Sequence, residues 1–330
     1  MESNICGKIL KGVGGLYTVR ISEESSAPTL VRCRARGSFR HSNITPLPGD
    51  NVLLTPDTNV QSTERGEKGE RGERGETSGY VIDDIVDRTC SLIRPPMANL
   101  DYLFVTMAAA SPMPVLSTVD KLISIAEYNR IEPIVVITKS ELDEHEAERL
   151  HNIYSTVGLN CFITSANENK GIELLDSFIK ENLKNGRTGA FAGASGIGKS
   201  TLMNRLFPHL QLSTSEISRK IERGRHTTRL VELFPLDDTT SCGYIADTPG
   251  FSMLDFKRFD FFEKEELCGT MREFGRYIGS CRYTKCTHTK EEGCAILKAV
   301  RSGEIPVSRH ESYVELYEVL KTRKKWETQK

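Results

Sequence analysis

The sequence predicts a multi-domain α/β protein: an all-β barrel, then a mostly parallel sheet with flanking helices, then a small helical region. Three observations predict this order. Residues 1–94 read as short strands separated by turns, residues 95–255 alternate strands with helices, and residues 256–330 are charged and contain four cysteines. A chain of 330 residues exceeds what one hydrophobic core usually serves, which agrees with several domains.

The first region has the pattern of a small barrel of the OB-fold type. Alternating and β-branched residues indicate five half-buried strands, at Cys6–Leu10, Leu16–Ile21, Thr29–Cys33, Asn51–Thr55 and Tyr80–Ile85. Glycine recurs at every third position within Glu64–Glu76. Because these triplets lack proline they cannot hold a collagen triple helix, so we expect a flexible loop over residues 57–79.

The second region repeats strand and helix, which implies a mostly parallel sheet with helices on both faces. Strands are expected at Tyr102–Ala108, Ile134–Thr138, Asn160–Thr164, Thr188–Ala192 and Gly243–Asp247. Helices are expected at Val115–Asn129, Glu141–Val157 and Gly171–Leu183, from Lys199 to the stop at Pro208, and, in the third region, at Tyr313–Lys325. Ligands of such sheets bind at the carboxyl ends of the strands.

Composition narrows the class of protein. The formal net charge of -1 argues against a uniformly basic nucleic-acid binder, so any RNA contact needs local basic patches. An odd number of cysteines, nine, and an N-terminal segment without an apolar core argue against a secreted, disulfide-bonded protein. No apolar run approaches a membrane span. We therefore expect a cytoplasmic protein with reduced thiols, and a monomer.

A phosphate-binding loop of the form GxxxxGK[ST] lies between an expected strand and an expected helix. It consists of Gly193, Ala194, Ser195, Gly196, Ile197, Gly198, Lys199 and Ser200, and Thr201 follows it. The glycines let backbone N–H groups curl around a β-phosphate at the positive end of the helix. Lys199 is expected to bridge the β- and γ-phosphates as a catalytic group, and Ser200 to ligate magnesium. Thr201 is expected to contact the nucleotide.

Two downstream motifs complete the expected phosphate site. Asp247 ends a strand before Thr248-Pro249-Gly250, so its carboxylate is expected at magnesium and the Gly250 N–H at the γ-phosphate. Between this motif and the loop lies Gly224–Thr228. A first switch needs a threonine that reaches magnesium and the γ-phosphate; Thr227 or Thr228 would serve, and we assign Thr228.

Two upstream motifs match base-reading segments. Thr138-Lys139-Ser140-Glu141 ends a buried strand, where the guanine-reading motif [NT]KxD would stand. There the lysine stem stacks on the base and the carboxylate accepts the ring N–H and the exocyclic amine of guanine. Glu141 stands in place of the usual aspartate and is one methylene longer. Thr164-Ser165-Ala166 follows the next strand; Ser165 and Ala166 are expected at the base, Ala166 through its backbone N–H.

The order of these motifs indicates a circularly permuted GTPase that takes GTP and one magnesium ion. In the common order the phosphate loop comes first and the base-reading motifs last, and here the base-reading motifs come first. The permutation also makes the second switch the link to the third region. A P-loop ATPase or kinase, which would bind ATP as well as GTP, is the alternative.

The residue after the second switch predicts slow unassisted turnover. Many GTPases place a glutamine there to orient the attacking water. This chain has Phe251, whose side chain neither donates nor accepts a hydrogen bond. His226 in the first switch is the best candidate for the orienting group, with a purely structural histidine as the alternative.

Four candidate zinc ligands lie within fourteen residues of the third region: Cys281, Cys286, His288 and Cys294. Tetrahedral zinc takes this ligand set, and four protein ligands leave no open position for a water nucleophile. We therefore predict one structural zinc ion rather than a catalytic one.

These segments resemble the RsgA or YjeQ family of small-ribosomal-subunit-dependent GTPases. The resemblance rests on the segments Gly193–Asn204, Gly224–Thr228, Glu232–Leu236, Asp247–Phe251 and Cys281–Ala295, with further matches after the zinc ligands. The chain departs from the family pattern at Thr138 and Glu141, where Asn and Asp are usual, and in the triplet-glycine insert.

The resemblance implies an OB-fold over residues 1–94, a permuted GTPase domain over 95–255 and a zinc domain over 256–330. It implies a protein that binds the small ribosomal subunit and its rRNA late in assembly, hydrolyses GTP under stimulation by the subunit, and leaves under nucleotide control. Clustered Arg32, Arg34, Arg36 and Arg40, and Arg323-Lys324-Lys325, are compatible with RNA contact. The alternative is an RNA-binding assembly factor in which nucleotide only locks one conformation.

Overall fold

The computed structural model describes residues 5–21, 28–41, 44–57, 79–93, 95–210, 231–247 and 262–322. The chain forms two compact units. The first comprises Met1–Leu100, Asn182–Gly189 and His226–Pro249, and the second comprises Asp101–Glu181, Ala190–Arg225 and Gly250–Lys330. The three sequence-based domain ranges stay a prediction. None of the helices in the described ranges has the length and apolar character needed to cross a bilayer.

The first unit contains a closed five-stranded barrel of order β1-β2-β3-β5-β4, which confirms the expected N-terminal barrel. Its strands are β1 Ile5–Val13, β2 Leu16–Ile21, β3 Thr29–Ala35, β4 Asn51–Pro56 and β5 Tyr80–Ile85. β1 runs three residues past the expected Leu10 because Gly14 and Gly15 both adopt positive φ, the geometry of a tight two-residue hairpin turn. The barrel core includes Ile9, Val19 and Leu54, each fully buried.

Three short elements before residue 101 were not expected from the sequence. They are the four-residue helix α1, Ser38–His41, and the antiparallel pair β6, Ser91–Ile93, and β7, Pro96–Ala98. Segments of three or four residues are too short to show a period, so composition alone does not reveal them.

The second unit contains a parallel sheet of order β10-β9-β8-β11. Its strands are β8 Tyr102–Ala108, β9 Glu132–Thr138, β10 Asn160–Ile163 and β11 Thr188–Ala192, of which β11 begins in the first unit. β8 and β10 both pair in parallel with β9. β9 is almost wholly buried, as expected for a strand covered on both faces.

Six α-helices follow α1 within the ranges that the structure describes. They are α2 Leu116–Tyr128, α3 Glu144–Thr156, α4 Ile172–Asn182, α5 Lys199–Leu206, α6 Ala295–Arg301 and α7 Val307–Lys321. α3 starts three residues after the expected Glu141 because Asp143 is its N-cap and accepts a hydrogen bond from Glu146 N. α7 starts six residues before the expected Tyr313. Its first turns bury Arg309 and Ser312, polar residues that hide the buried face from a hydrophobicity pattern.

The first unit also holds the antiparallel pair β12, Glu232–Pro235, and β13, Tyr244–Asp247, in the order β11-β13-β12. Arg20 of the barrel is 4% exposed and donates to the carbonyls of Asp237 and Thr239, at 3.2 and 3.1 Å, and to the Cys242 sulfur. These contacts hold the turn between β12 and β13 against β2. The turn that precedes β13, the strand that ends at Asp247, is therefore held in place by the barrel.

A buried ion network joins α7 to α2 within the second unit. Arg309 is 1% exposed; its Nε and Nη2 donate to the Glu273 carboxylate at 2.7 and 3.2 Å, and its Nη1 donates to Asp120 of α2 at 2.5 Å. Around it, an apolar cluster includes Ile125 of α2 and Tyr313 of α7. The C-terminal region thus packs against α2, a helix beside the sheet, through both ion pairs and apolar contacts.

We expect Arg309→Met to lower the free energy of unfolding by about 3–5 kcal/mol, since it leaves two buried carboxylates without their cation. Urea denaturation of the full chain measures the change. The matched control is Lys321→Ala in the same helix, whose pair with Glu318 is about half exposed on both sides. That variant should lose less than about 1 kcal/mol. Equal losses in the two variants would contradict the assignment of a stabilising role to the buried network.

Candidate nucleotide-binding site and metal centre

The loop after β11 has a backbone that only glycine accommodates at its first position. Gly193 has φ of 150°, and a Cβ there would lie 2.3 Å from the Thr106 carbonyl oxygen and 2.5 Å from Ile197 Cδ1. Gly198, at φ of 90°, directly precedes α5. The loop is therefore held against β8 and turns sharply into the helix, the arrangement that directs backbone N–H groups toward a phosphate.

The side chains of the loop divide into a buried anchor and an exposed rim. Ile197 is buried, whereas Ala194, Ser195 and Gly196 are exposed. Lys199 Nζ donates to the Gly193 carbonyl at 3.1 Å, so the ammonium bridges the two ends of the loop. Ser200 and Thr201 are exposed in the first turn of α5, which is anchored by buried Leu202, Met203 and Leu206.

The residues at the end of β9 bind this loop directly. Thr138 is buried, and its hydroxyl lies 2.5 Å from the Ile197 carbonyl oxygen and 3.1 Å from that of Met107. Lys139 adopts positive φ and donates from Nζ to the Gly196 carbonyl at 2.7 Å and to the Ser111 carbonyl. The base-reading motif and the phosphate loop, some sixty residues apart in sequence, are thus attached to each other.

A pocket opens between these segments. It is lined by Thr138, Lys139, Glu141, Thr164, Ala166, Asn167, Gly198, Thr201 and Leu202. Glu141 Oε1 accepts a hydrogen bond from Asn167 Nδ2 at 2.8 Å, while Oε2 is buried and has no hydrogen-bond partner among the described residues. Burial alone would raise the pKa of Glu141, but hydrogen bonds from the Ser165 side chain, the Glu141 backbone and the Asn167 side chain outweigh it and lower the pKa. The pocket therefore presents a charged carboxylate, one oxygen of which, Oε2, accepts no hydrogen bond from the described residues.

The predicted nucleotide-binding residues lie in several different parts of the structure. Thr138, Lys139, Glu141, Ala166, Gly198 and Thr201 line the pocket, and the remaining loop residues belong to the segment between β11 and α5 or to the first turn of α5. Ser140 and Ser165 are buried behind it: Ser140 N donates to the Thr164 carbonyl, and Ser165 Oγ accepts from Glu168 N. Asp247 ends β13. His226, Thr228 and Gly250 lie outside the described residues.

Three pocket residues were not among the predicted site residues: Thr164, which belongs to the second base-reading motif, Asn167 and Leu202. Leu202 fits the apolar pattern of α5 and carries no signal beyond packing. Asn167 directly follows Thr164-Ser165-Ala166, and an amide beside a base-reading motif is the signal that could have identified it.

The four predicted zinc ligands converge on one point. The candidate ligand atoms of Cys281, Cys286, His288 and Cys294 all lie within 4.8 Å of one another. The Cys281 and Cys294 sulfurs are 3.8 Å apart, and each is 3.5 Å from His288 Nδ1. Tetrahedral zinc, with Zn–S of about 2.3 Å and Zn–N of about 2.0–2.1 Å, puts sulfur pairs about 3.8 Å apart and sulfur and nitrogen about 3.5 Å apart. The donor set and its spacing fit zinc.

Contacts behind the ligands fix this arrangement. The carbonyl oxygen of His288 lies 2.8 Å from His310 Nε2, and the neighbouring Thr287 carbonyl accepts from the Tyr313 hydroxyl at 2.8 Å. The Glu291 carboxylate accepts the backbone N–H groups of Thr287, Thr289 and Lys290. Burial would raise the pKa of Glu291, but these bonds and that from the Thr287 hydroxyl lower it to about 2. The ligand loop is therefore tied to α7.

Together the fold and the pocket define a P-loop GTPase whose base-reading segment precedes its phosphate loop, a circularly permuted arrangement. Residues 85–257 match the RsgA GTPase family, and residues 6–63 match the RsgA N-terminal domain. The chain belongs to the RsgA family, and membership makes it an enzyme that hydrolyses GTP.

Relatives match over nearly the whole chain. The small ribosomal subunit biogenesis GTPase RsgA of Alkaliphilus metalliredigens is 36% identical over 97% of this chain and 99% of its own length. The RsgA of Bacillus velezensis is 38% identical over 96% and 98%. The crystal structure of YjeQ from Thermotoga maritima superposes with a TM-score of 0.77 at 30% identity, over 98% of this chain and 100% of that one. YloQ, described as a circularly permuted GTPase, gives 0.71 at 31%, over 98% and 96%.

We expect Thr138→Val to weaken GDP binding about five- to tenfold, because it removes the hydroxyl hydrogen bond between the base motif and the phosphate loop. Isothermal titration of the full chain measures the affinity. The control is Thr106→Val, since the Thr106 hydroxyl is also buried but bonds the Phe104 carbonyl within its own strand. The GDP affinity of Thr106→Val should stay at the wild-type value. A similar loss in both variants would mean that any buried hydroxyl of the sheet has this effect.

We expect wild-type protein to carry one zinc per chain and Cys286→Ser to carry none, with a lower thermal midpoint, because a structural zinc ion contributes its binding free energy to folding. Elemental analysis and thermal melting measure the two effects. Cys268→Ser serves as the control, since Cys268 packs against the same apolar cluster outside the ligand group and should retain zinc. Wild-type protein purified without zinc, or equal zinc loss in both variants, would contradict the assignment.

Proposed function

We propose that this GTPase binds the small ribosomal subunit and its rRNA late in assembly, is stimulated by the subunit, and leaves it under nucleotide control. The relatives that match nearly its whole length are named small ribosomal subunit biogenesis GTPases. The observation that carries the proposal is the attachment of the base-reading motif to the phosphate loop around one pocket. This attachment puts the segment proposed to bind the base in direct contact with the loop proposed to bind the phosphates.

The donor requirement of the pocket supports guanine as the base. Guanine presents a ring N–H and an exocyclic amine on one edge, and a buried carboxylate oxygen without a partner gains most from such donors. Adenine presents a ring acceptor at the same place, so its nitrogen lone pair would face the Glu141 carboxylate and could donate no hydrogen bond to it. The pocket therefore favours GTP over ATP.

The phosphate end supports the assigned roles of Lys199 and the magnesium ligands. Lys199 already spans the loop that would surround the β-phosphate, and Ser200 is exposed in the first turn of α5. Asp247 and Thr228 complete the proposed magnesium set, which supplies charge neutralisation at the β- and γ-phosphates. The Gly250 N–H would sense the γ-phosphate. His226 is proposed to orient the attacking water, because Phe251 has no hydrogen-bonding group for that task.

The barrel offers a surface for RNA. Along β3, Val31 and Cys33 face the barrel core whereas Arg32 and Arg34 are exposed, so two guanidinium groups project from one face of the strand. Arg36, also exposed, pairs with Asp83 at 2.8 Å. Phosphate contacts of this kind supply affinity that falls steeply with salt. We assign structural zinc to the C-terminal region, three domains to the ranges 1–94, 95–255 and 256–330, and a cytoplasmic monomer to the protein.

We expect Lys199→Ala to abolish GTP hydrolysis with and without purified small subunits, and His226→Ala to lower the subunit-stimulated rate about a hundredfold, since a positioned histidine typically contributes at that scale. Phosphate release measures both rates. The control is His209→Ala, which removes an exposed histidine after α5 and should keep the stimulated rate.

Three results would redirect the proposal. Full stimulated turnover in His226→Ala alongside a dead Lys199→Ala would assign the water to another group. Equal competition by ATP and GTP would favour the ATPase or kinase alternative. Normal subunit assembly with a hydrolysis-dead variant that still binds subunits would favour the factor in which nucleotide only locks one conformation.

A further inference from the structure

We propose that Asn167 is a positioning residue for guanine recognition. Its side-chain amide holds the carboxylate of Glu141, so that a glutamate paired with an asparagine does what the shorter aspartate does alone. This inference rests on the proposed guanine site and assigns a residue to it that the motifs do not contain.

The pairing leaves one oxygen of Glu141 available to a ligand. Asn167 Nδ2 lies 2.8 Å from Glu141 Oε1, and both residues line the pocket. The other oxygen, Oε2, is buried and unpartnered among the described residues. A buried charged acceptor without a donor is costly, and the cost is removed when a ligand N–H reaches it. Asn167 therefore directs the unpaired oxygen as well as holding the paired one.

The extra methylene of Glu141 is the reason such a contact is needed. Glutamate has one more rotatable bond than aspartate, so a free carboxylate at this position would sample more orientations and lose more entropy on binding a base. A hydrogen bond formed before the nucleotide arrives removes part of that loss, which is preorganisation.

Asn167 can do this because the loop that carries it is closed and anchored. Ser165 and Lys170 exchange backbone hydrogen bonds at 2.9 and 3.0 Å, which closes the loop at its base. Gly171, at φ of 69°, packs so tightly on the Ile163 carbonyl that a Cβ would lie 2.0 Å from its oxygen. Asn169 Oδ1 accepts from Arg205 Nε of α5 at 3.1 Å. The loop is thus fixed to β10 on one side and to the phosphate-binding helix on the other.

The test compares nucleotides that differ only in the base edge, on the full-length protein. GDP presents the ring N–H and the amine, IDP lacks the amine, and ADP presents a ring acceptor. Displacement of a fluorescent guanine nucleotide gives the affinity for each. We expect Asn167→Ala to weaken GDP binding about tenfold and IDP binding less. The ratio of the GDP association constant to the IDP association constant, written below as the GDP/IDP ratio, should therefore fall.

A double-mutant cycle separates positioning from a merely structural role of the loop. In Glu141→Asp the carboxylate is one methylene shorter and out of reach of Asn167. In that background Asn167→Ala should change GDP affinity less than about twofold, because the hydrogen bond is already absent. The matched control is Glu168→Ala, which removes an exposed side chain beside Asn167 and keeps the backbone N–H that donates to Ser165 Oγ. It should leave the GDP/IDP ratio unchanged.

The inference is overturned if wild-type protein prefers GDP to ADP and Asn167→Ala keeps the wild-type GDP affinity and GDP/IDP ratio. It is also overturned if Asn167→Ala weakens GDP equally with Glu141 and with Asp at position 141. If wild-type protein binds ADP as tightly as GDP, the proposed guanine site is wrong and the inference falls with it.

Discussion

The attachment of Thr138 and Lys139 to the phosphate loop is the constraint on which the nucleotide site depends. These residues bind the carbonyl groups of Ile197 and Gly196 across sequence separations of 59 and 57 residues. The contacts exist because β9, β8 and β11 are consecutive in the sheet, which brings the carboxyl ends of the base-motif strand and the loop strand to one edge. Chain order does not enter that geometry, so a permuted sequence builds the site from the same neighbours.

The permuted order links the proposed second switch to the C-terminal region, and ion pairs restrict how far that region can move. The proposed second switch at Gly250 is followed in sequence by the C-terminal region, and on that proposal loss of the γ-phosphate re-aims the C-terminal region. Yet Arg309 and Arg272 tie the C-terminal region to the helices and strands beneath it: Arg309 to Asp120, and Arg272 to Glu127 and Glu132. Breaking a buried pair such as that of Arg309 costs about 3–5 kcal/mol. Wholesale movement of the zinc centre in response to nucleotide would therefore have to break these pairs.

The zinc centre and the nucleotide pocket share one design feature, since in each case a second layer holds the groups that would touch the ligand. His288 is placed by contacts from α7 to its own and the preceding carbonyl, and Glu141 is held by Asn167. Such supporting contacts fix orientation without contributing ligand atoms. They are made by residues distant in sequence or outside any motif.

By itself the sequence determined the barrel, the alternating sheet, the order of the motifs and the four candidate zinc ligands. Each of these is predicted by a pattern among residues that are close together in the chain. A period of two or 3.6, a glycine-rich loop, or four donors within fourteen residues needs no knowledge of the remaining chain. Only the tertiary structure decided that Arg309 pairs with Asp120, 189 residues away, and that Asn167 holds Glu141. It also decided that α7 begins at Val307, since a buried face made of Arg309 and Ser312 looks solvent-exposed until its partners are in place. Polar pairs between residues far apart in the chain leave no periodic pattern in the sequence, and their burial makes them costly to break.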